Sequence, residues 1–451
     1  MQTNLDFTKQ GVTFPPFEER ERLNLYRENK MLFDGKHDSV FTRWTRTEGY
    51  ESLNVVVNWP RRLSILWADM LFGNSPIIKG ANDAPLKEFI ERNDLYTVLY
   101  ESAIDFSRMG TGLLKLRLSE EGLVVESVPT DIWFPVVNPA NIKEVKQHVL
   151  AWKYKVTEGD VEKWYLNMEI HHKGKIEYRN YALATDSKVS TLIESSEEDT
   201  GVNDFLVFPV YNVGSSDRLD GISDYEDVKP ILEELEMRLT QISRVLDKHA
   251  DPSMYGDEGA LELDERTGEY VVRGGGSFYP VTPDGVKPDY ITWEANLEDA
   301  QVQINTLMEQ FYVVTNTSPA SFGQLKSGLA ESGSALKRLL MAAIIKSNRM
   351  KVRYEAVIKR MIRVGSELGE RNGIPNVGEV TVEWQDSIPV DERETVTNEV
   401  MRIKNGLTSL EAAIQRIDGL SGEALLKEVA LIQSQSQMEP DYDRNDGRES
   451  V

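Results

Sequence analysis

The stretch Ser318–Arg338, SPASFGQLKSGLAESGSALKR, decides the reading of this 451-residue chain. Gly323, Gly328 and Gly333 punctuate it together with five serines, so its backbone changes conformation at little steric cost, and Pro319 stops any helix running in from upstream. After Gly333 the pattern turns helical. Leu336, Leu339, Leu340, Ala343, Ile344, Met350, Tyr354, Val357, Ile358, Met361 and Ile362 recur mostly at steps of three and four, which predicts one long amphipathic helix. From Lys337 to Arg363 nine Lys or Arg stand against a single acid, Glu355, a segment of +8 in a chain of −23. Two readings of that charge are open: a solvated basic face paired with acidic neighbours, or a face set near nucleic-acid phosphate.

Upstream of the loop, Val228, Leu232, Leu235, Leu239, Ile242, Leu246 and His249 follow one another at alternating steps of four and three. This 3.5-residue period predicts a helix with a narrow packing seam. Ser223 and Glu226 have capping-box spacing just before it, and Pro230 is placed to kink its first turns. A second helix is predicted over 296–314, with Leu297, Ile304, Leu307, Met308, Phe311 and Val314 on one side. Between the two, residues 251–293 shift to Gly, Pro, Asp and short apolar strands, which places a small β-rich module at the far end of a helical stalk. Its aromatics Phe278, Tyr279 and Tyr290 suit either a small core or contact with a partner. The seam suits either an intramolecular hairpin or packing between subunits.

The amino-terminal half predicts helices over 16–33, 58–72 and 86–108, then strands LLKLRL and LVVESV around a Glu-Glu-Gly turn, with further strands over 145–156, 164–171 and 176–184. Residues 34–50 read as an exposed arm of the kind that packs on a neighbouring subunit. The acidic segment 187–203 reads as a loose loop. Downstream, 379–384 reads as a strand and 391–435 as two or three short helices broken at Gly406 and Gly419, followed by a polar, disordered tail.

Length allows two to four packed units. With no cysteine, disulfides, thiolate metal sites and cysteine nucleophiles are excluded. Seventy-four acids against 51 bases argue against a protein that coats DNA by neutralising phosphates. The polar opening MQTNLDFTKQ lacks a signal-peptide pattern, and the apolar stretch 55–72 is interrupted by Arg61, Arg62 and Asp69, so a core helix is expected there rather than a membrane span. No phosphate-binding G-x-x-x-x-G-K-[ST] motif occurs, because Gly323–Gly328 is followed by Leu329 and Ala330. His171 and His172 are adjacent, so on a strand they face opposite ways and do not chelate one metal as a pair. The acids Asp217, Asp220, Asp224, Glu226 and Asp227 suit a Mg²⁺-dependent nuclease or the amino-terminal end of a helix; the capping-box position favours the helix. Neither a cofactor nor a metal is expected.

Several stretches resemble the portal proteins of tailed bacteriophages, in the branch that infects Gram-positive hosts: LFGNSP at 71–76, VPTDIWFPV at 128–136, FPVYNVGSSDRLDGISDYEDVKPIL at 208–232, GLTSLEAAIQRIDGLSGEALLKEV at 406–429 and, above all, SGSALKRL at 332–339 after a helix and a flexible loop. The resemblance implies an α+β portal fold: an α/β wing over 1–220, stem helices over 221–250 and 294–315, a β-rich clip over 251–293, a tunnel loop over 316–332, a long wing helix and strand over 333–390, an α-helical crown over 391–437 and a disordered acidic tail over 438–451. It implies a non-enzymatic ring of about twelve copies at one capsid vertex, present in the host cytoplasm during assembly and then in the virion. Double-stranded DNA would pass through the ring without sequence preference. The implied partners are the large terminase, the head-completion adaptor and the major capsid and scaffolding proteins, with no membrane.

Mapped by position, the loop residues facing DNA would be Ser321, Gln324, Lys326, Ser327, Gly328 and Glu331. The clip contacts would be Phe278, Tyr279 and Tyr290, and the stem would pack through Leu232, Leu235, Leu239, Ile242, Leu246, Leu307 and Phe311. The charge balance suits such a channel. Twelve chains at −23 sum to −276, and a mostly acidic wall with a few cations such as Lys326 lets a duplex slide rather than stick. Two other classes stay open at this point: a Mg²⁺-dependent nuclease or phosphoryl-transfer enzyme, and a capsid-associated structural protein that forms no channel.

Overall fold

The computed structural model describes residues 2–41, 55–250 apart from 121, 159–160 and 185–186, the segments 254–257, 262–263, 270–271, 278–281, 289–290 and 297–324, then 333–385 and 392–436 apart from 421. The chain forms two compact units, Met1–Phe322 with Ala342–Ser387, and Gly323–Met341 with Ile388–Val451.

The first unit begins with α1 (Arg20–Phe33), α2 (Trp59–Phe72), the short strand β1 (Ile77–Gly80), α3 (Asp83–Arg92) and α4 (Leu95–Met109). α2 starts where it does because the Asn58 side chain accepts the Arg61 N–H at 3.1 Å and Pro60 sits in the first turn, where its missing N–H costs nothing. Its apolar stripe packs on α4, so that Leu63, Trp67, Leu99 and Phe106 are fully buried together. Burying each such side chain contributes about 1.5–3 kcal/mol.

Next come β2 (Thr111–Ser119) and β3 (Gly122–Ser127), then β4 (Trp133–Asn138), β5 (Asn141–Glu158), β6 (Val161–His171), β7 (Lys175–Leu183), β8 (Val189–Asp199) and β9 (Val207–Tyr211). They make a three-stranded sheet of order β3-β2-β9 and a five-stranded antiparallel meander β4-β5-β6-β7-β8. The expected loop over 187–203 is therefore corrected: most of it is the outer strand β8, which pairs with β7 from Lys175↔Asp199 to Leu183↔Val189. Its side chains from Thr191 to Asp199 are all exposed, so the strand buries no face that the sequence could betray. The amino-terminal residues cover one face of the meander, with the Phe7, Phe14 and Phe134 rings 5.1–6.3 Å apart. Within the expected arm, residues 42–50 lie outside the described residues.

On β5, His148 is 4% exposed. It accepts the Trp133 indole N–H on Nδ1 at 3.1 Å and meets the Phe205 ring edge-on at 4.7 Å. Burial, with help from nearby His171 and Arg360, pushes its pKa down to about 3. The unfolded chain takes up a proton near pH 6.5 that the folded chain refuses, so stability is full above about pH 6.5 and falls by about 1.4 kcal/mol per unit as pH drops towards about 3. His148→Gln keeps an acceptor for Trp133 and removes the titration. Melting temperature against pH is expected to fall less steeply below pH 6.5 in that variant.

The turn after α4 meets the segment ahead of the stalk through two glycines. Gly110 has φ +81°, and a Cβ on Gly221 would lie 1.9 Å from the Gly110 carbonyl oxygen. Both obstructing groups are backbone, the Gly110 carbonyl and Asn212 N at 2.6 Å, and they are held to each other because Asn212 N–H donates to Gly110 O at 2.8 Å. Gly221→Ala is expected to cost about 3 kcal/mol in urea unfolding, the upper end for overpacking, because backbone does not swing aside as a side chain does.

The stalk helices are α5 (Lys229–Ala250) and α6 (Leu297–Thr315). Between them lie β10 (Met254–Asp257), β11 (Glu262–Leu263), β12 (Tyr270–Val271), β13 (Phe278–Val281) and β14 (Asp289–Tyr290), in a three-stranded sheet β13-β10-β14 and a β11-β12 pair. The expected single helix after Gly333 is corrected to two, α7 (Gly333–Leu339) and α8 (Met341–Glu370). The ladder lapses at Leu340, although its N–H still donates to Leu336 O at 3.0 Å. No glycine or proline marks that break. The buried stripe of α8, including Met350, Tyr354, Ile358 and Met361, completes the α2–α4 core. β15 (Val380–Glu383) then returns to pair with β1, a pairing the sequence reading did not anticipate.

In the second unit, α9 (Glu392–Lys404), α10 (Leu410–Asp418) and α11 (Gly422–Ser436) follow the expected breaks at Gly406 and Gly419. α10 is capped by Ser409, whose hydroxyl accepts the Ala412 N–H, and ends at left-handed Gly419. Glu399 on α9 binds the Arg416 guanidinium with both oxygens, at 3.0 and 2.6 Å, which pins α9 to α10. The tail over 438–451 lies outside the described residues.

Candidate functional site

The seam read from the spacing on α5 is buried at its lower end and opens along its length. Leu232 and Leu235 are buried, Leu239 and Ile242 half-buried, and Leu246 is 52% exposed. On α6, Ile304 and Phe311 are buried and Leu307 half-buried, whereas Val302 and Val313 are 64% and 71% exposed. α5 and α6 pack on each other at the buried end, and Gln303 donates to Glu234 across the pair at 3.4 Å.

The capping-box reading is corrected. The Ser223 hydroxyl donates to the Arg108 carbonyl at 2.7 Å and accepts the Tyr225 N–H at 3.1 Å, closing a turn, while α5 starts only at Lys229. Pro230 is the reason. In a helix begun at Asp224, Pro230 would owe an interior hydrogen bond that it cannot donate, whereas at the second position it owes none, so it marks the start without kinking the helix.

The stalk is tied to the rest of the first unit by two buried polar groups that the sequence reading missed. His37 Nδ1 lies 2.7 Å from Glu236 Oε1, and His37 Nε2–H donates to Leu32 O at 2.9 Å, with both side chains fully buried. The same Glu236 oxygen accepts the Val57 N–H at 3.1 Å. At the end of α6, the Lys346 ammonium donates to Asp224 Oδ1 at 2.9 Å and to the Thr315 carbonyl at 3.3 Å, and sits 4.3 Å from the centre of the Trp67 ring. Asp224 also accepts from Asn212 Nδ2 at 2.9 Å and from the Ser107 hydroxyl at 2.7 Å. Lys346 thus joins α8, α2, the turn before α5 and the last turn before the loop. The signal was present in the spacing: Lys346 falls between Ala343 and Met350 on the apolar stripe.

The loop leaves α6 through a tight turn. Ser321 Oγ accepts the Ser318 N–H at 3.1 Å, and the Phe322 ring stands edge-on to Trp59 at 5.3 Å and 6.2 Å from both Phe311 and Tyr312. Gln324 is exposed; Lys326, Ser327, Gly328 and Glu331 lie outside the described residues. Phe278, Tyr279 and Tyr290 stand on strands, with Met254 opposite both Phe278 and Tyr290 and Tyr255 opposite Tyr279; their side chains lie outside the described residues.

The basic stretch resolves largely into internal pairing. Lys346 meets Asp224, Lys359 meets Glu355, and Arg360 and Arg363 meet Asp204. Lys351 and Arg353 donate to the carbonyls of Gln385 and Tyr211. Arg349 borders a cavity of about 240 Å³ shared with Asp227 and Arg353. The acids do not converge: Asp217 is held by Ser215, Asp220 by Arg218 and Asp224 by Lys346. The two adjacent histidines go to different carboxylates, His171 to Glu169 at 3.3 Å and His172 to Glu177 at 3.0 Å. Among the described residues no group of three or more His, Asp or Glu is arranged to hold a metal, and no helix is long and apolar enough to cross a membrane.

Two long helices, α5 and α6, bracket a strand-bearing insertion, and ionisable side chains at the base of that helical pair are committed to one another. Residues 18–441 match the family model described as phage portal protein, SPP1 Gp6-like, and the chain belongs to that family. No curated protein matches the sequence. Three solved structures are similar in fold. The neck of an empty GTA particle computed with C6 symmetry is 15% identical, with 80% of this chain and 90% of that chain covered and a TM-score of 0.47. The virion of the native gene transfer agent (GTA) particle is 13% identical, with 92% and 96% covered and a TM-score of 0.47. The neck of the native GTA particle computed with C12 symmetry is 11% identical, with 91% and 96% covered and a TM-score of 0.48.

Proposed function

We propose that this phage portal protein closes into a ring of about twelve copies at one capsid vertex, and that its channel admits double-stranded DNA during packaging and releases it at ejection. The observation that carries this reading is the stalk: α5 and α6 bracket the strand insertion and leave Leu246, Val302 and Val313 exposed, apolar surface that a neighbouring stalk would cover. The apolar residues Val396, Val400, Leu407, Leu426 and Leu431 of the second unit offer the same kind of surface.

In this assignment 251–293 is the clip that docks the large terminase and then the head-completion adaptor, 316–332 is the tunnel loop and 391–437 the crown. The wing faces the capsid and scaffolding proteins. Lys326 supplies an isolated cation on an acidic wall, so phosphates are guided without being held. The protein is placed in the host cytoplasm while heads assemble and in the virion afterwards, in a phage of a Gram-positive host.

The test is electron microscopy of the purified protein. End-on views with about twelvefold symmetry and a central hole are expected; compact monomers at every concentration would overturn the ring.

A further inference from the structure

We infer that the outer edge of β8 is a docking site for a basic, extended segment of another protein, which adds to the five-stranded sheet as a sixth strand. β8 is the last strand in the order β4-β5-β6-β7-β8. Only its beginning is covered by its own chain: Gly11 N–H donates to Val189 O at 2.7 Å, Val189 N–H to Val12 O at 2.9 Å and Phe14 N–H to Ser187 O at 2.8 Å. Past Val189, among the described residues, no strand lies beyond β8, and every residue from Thr191 to Asp199 is exposed. Half of the backbone groups over this span point away from β7, and a row of such groups is a template for another strand. Nine residues offer roughly 30 Å of edge.

The charges select the occupant. Glu194, Glu197, Glu198 and Asp199 crowd the distal half, and the whole strand Val189–Asp199 carries no Lys or Arg. Lys175 reaches Glu197 at 3.3 Å and Tyr178 donates to Glu198 at 3.0 Å, both from β7 on the inner side. A second copy of the same edge would set carboxylate against carboxylate, so like charge keeps identical sheets apart. A strand carrying Lys or Arg at alternate positions meets a carboxylate on either face. Its main chain supplies affinity and its side chains supply the choice of partner. The exposed Leu192 and Ile193, 46% and 54% accessible beside a register shift, give an apolar step for one aliphatic side chain of the incoming segment.

The test uses the full chain and two synthetic decapeptides, KTKVKTKVKT and the same sequence N-methylated at alternate residues, which keeps the charge and removes ladder donors. Hydrogen exchange read by mass spectrometry is expected to show protection of residues 190–199 with the first peptide and none with the second. The triple variant Glu194→Lys, Glu197→Lys, Glu198→Lys is expected to weaken binding about tenfold or more at an unchanged melting temperature. Equal binding of both peptides would reduce the edge to a charged surface and overturn strand addition. So would absence of binding to the wild-type chain, or protection of 190–199 that rises with protein concentration alone, which would make the occupant a second copy.

Discussion

Replacing Lys346 with methionine lowers the free energy of unfolding by about 3–5 kcal/mol, read from urea or thermal denaturation, the range for removing one member of a buried ion pair. The side chains of Lys346 and Asp224 are only 10% and 4% exposed, so the carboxylate left behind does not regain water. The Thr315 carbonyl loses its ammonium donor at the same moment, and Trp67 loses a cation from its face. Methionine fills most of the lysine stem's volume, so the loss is electrostatic rather than a cavity effect. In the double variant with Asp224→Asn, the remaining partner is neutral and still hydrogen-bonds to Asn212 and Ser107. The two costs are therefore expected to fall short of additivity by about 1–3 kcal/mol. Strict additivity would show that the pair is not coupled and that Lys346 acts through packing alone.

Val302→Asp combined with Val313→Asp is expected to abolish the proposed ring without unfolding the chain. These valines project from α6 at 64% and 71% exposure, so a carboxylate at either place costs the isolated protomer almost nothing. In a ring each substituted position is repeated at every interface. There the change replaces apolar burial worth about 1.5–3 kcal/mol per side chain with an unpaired charge that must be desolvated. Sedimentation velocity is expected to show protomers with wild-type circular dichroism, and micrographs to show no rings. Rings surviving both substitutions would place α6's exposed face outside the subunit contact and leave the stalk assignment without its main support.

What the sequence disclosed, and what it withheld, follows from which interactions leave a periodic trace. α2, α5, α6 and α8 each bury a stripe against a neighbour, and stripes are visible as three- and four-residue spacing: Leu232 and Leu235 are buried as that spacing requires. Beyond its first residues β8 buries no face, so its sequence is that of a solvated loop, and there only the β7 backbone beside it makes it a strand. β1 and β15 are four residues each, too short for any alternation to stand out. Ser223 and Glu226 have the spacing of a cap, yet the rigid ring of Pro230 decides where α5 begins, a local veto that outweighs the motif. Of the proposed site, the stalk and the entry to the loop could be drawn from spacing, and so could the inward turn of Lys346, one of nine cations, from its place on the apolar stripe. Nothing in a linear chain announces that its partner will be Asp224, or that His37 will face Glu236.

The pairing of β1 with β15 also governs the order in which this protein can come into being. Lys79 and Glu383, joined at 2.8 Å, are 304 residues apart in the chain, and the core that encloses Trp67 and Phe106 is closed by Tyr354 and Met361 on α8. α2 and α4 pair early, but a ribosome must release most of the polypeptide before α8 covers the apolar surface that this pair leaves open, and until then that surface faces other nascent chains. Closure waits on contacts of long sequence separation, which form slowly. Low temperature, which weakens apolar association between unfinished chains, thus favours the soluble product, and a truncation anywhere before 354 leaves an amino-terminal fragment that cannot seal itself.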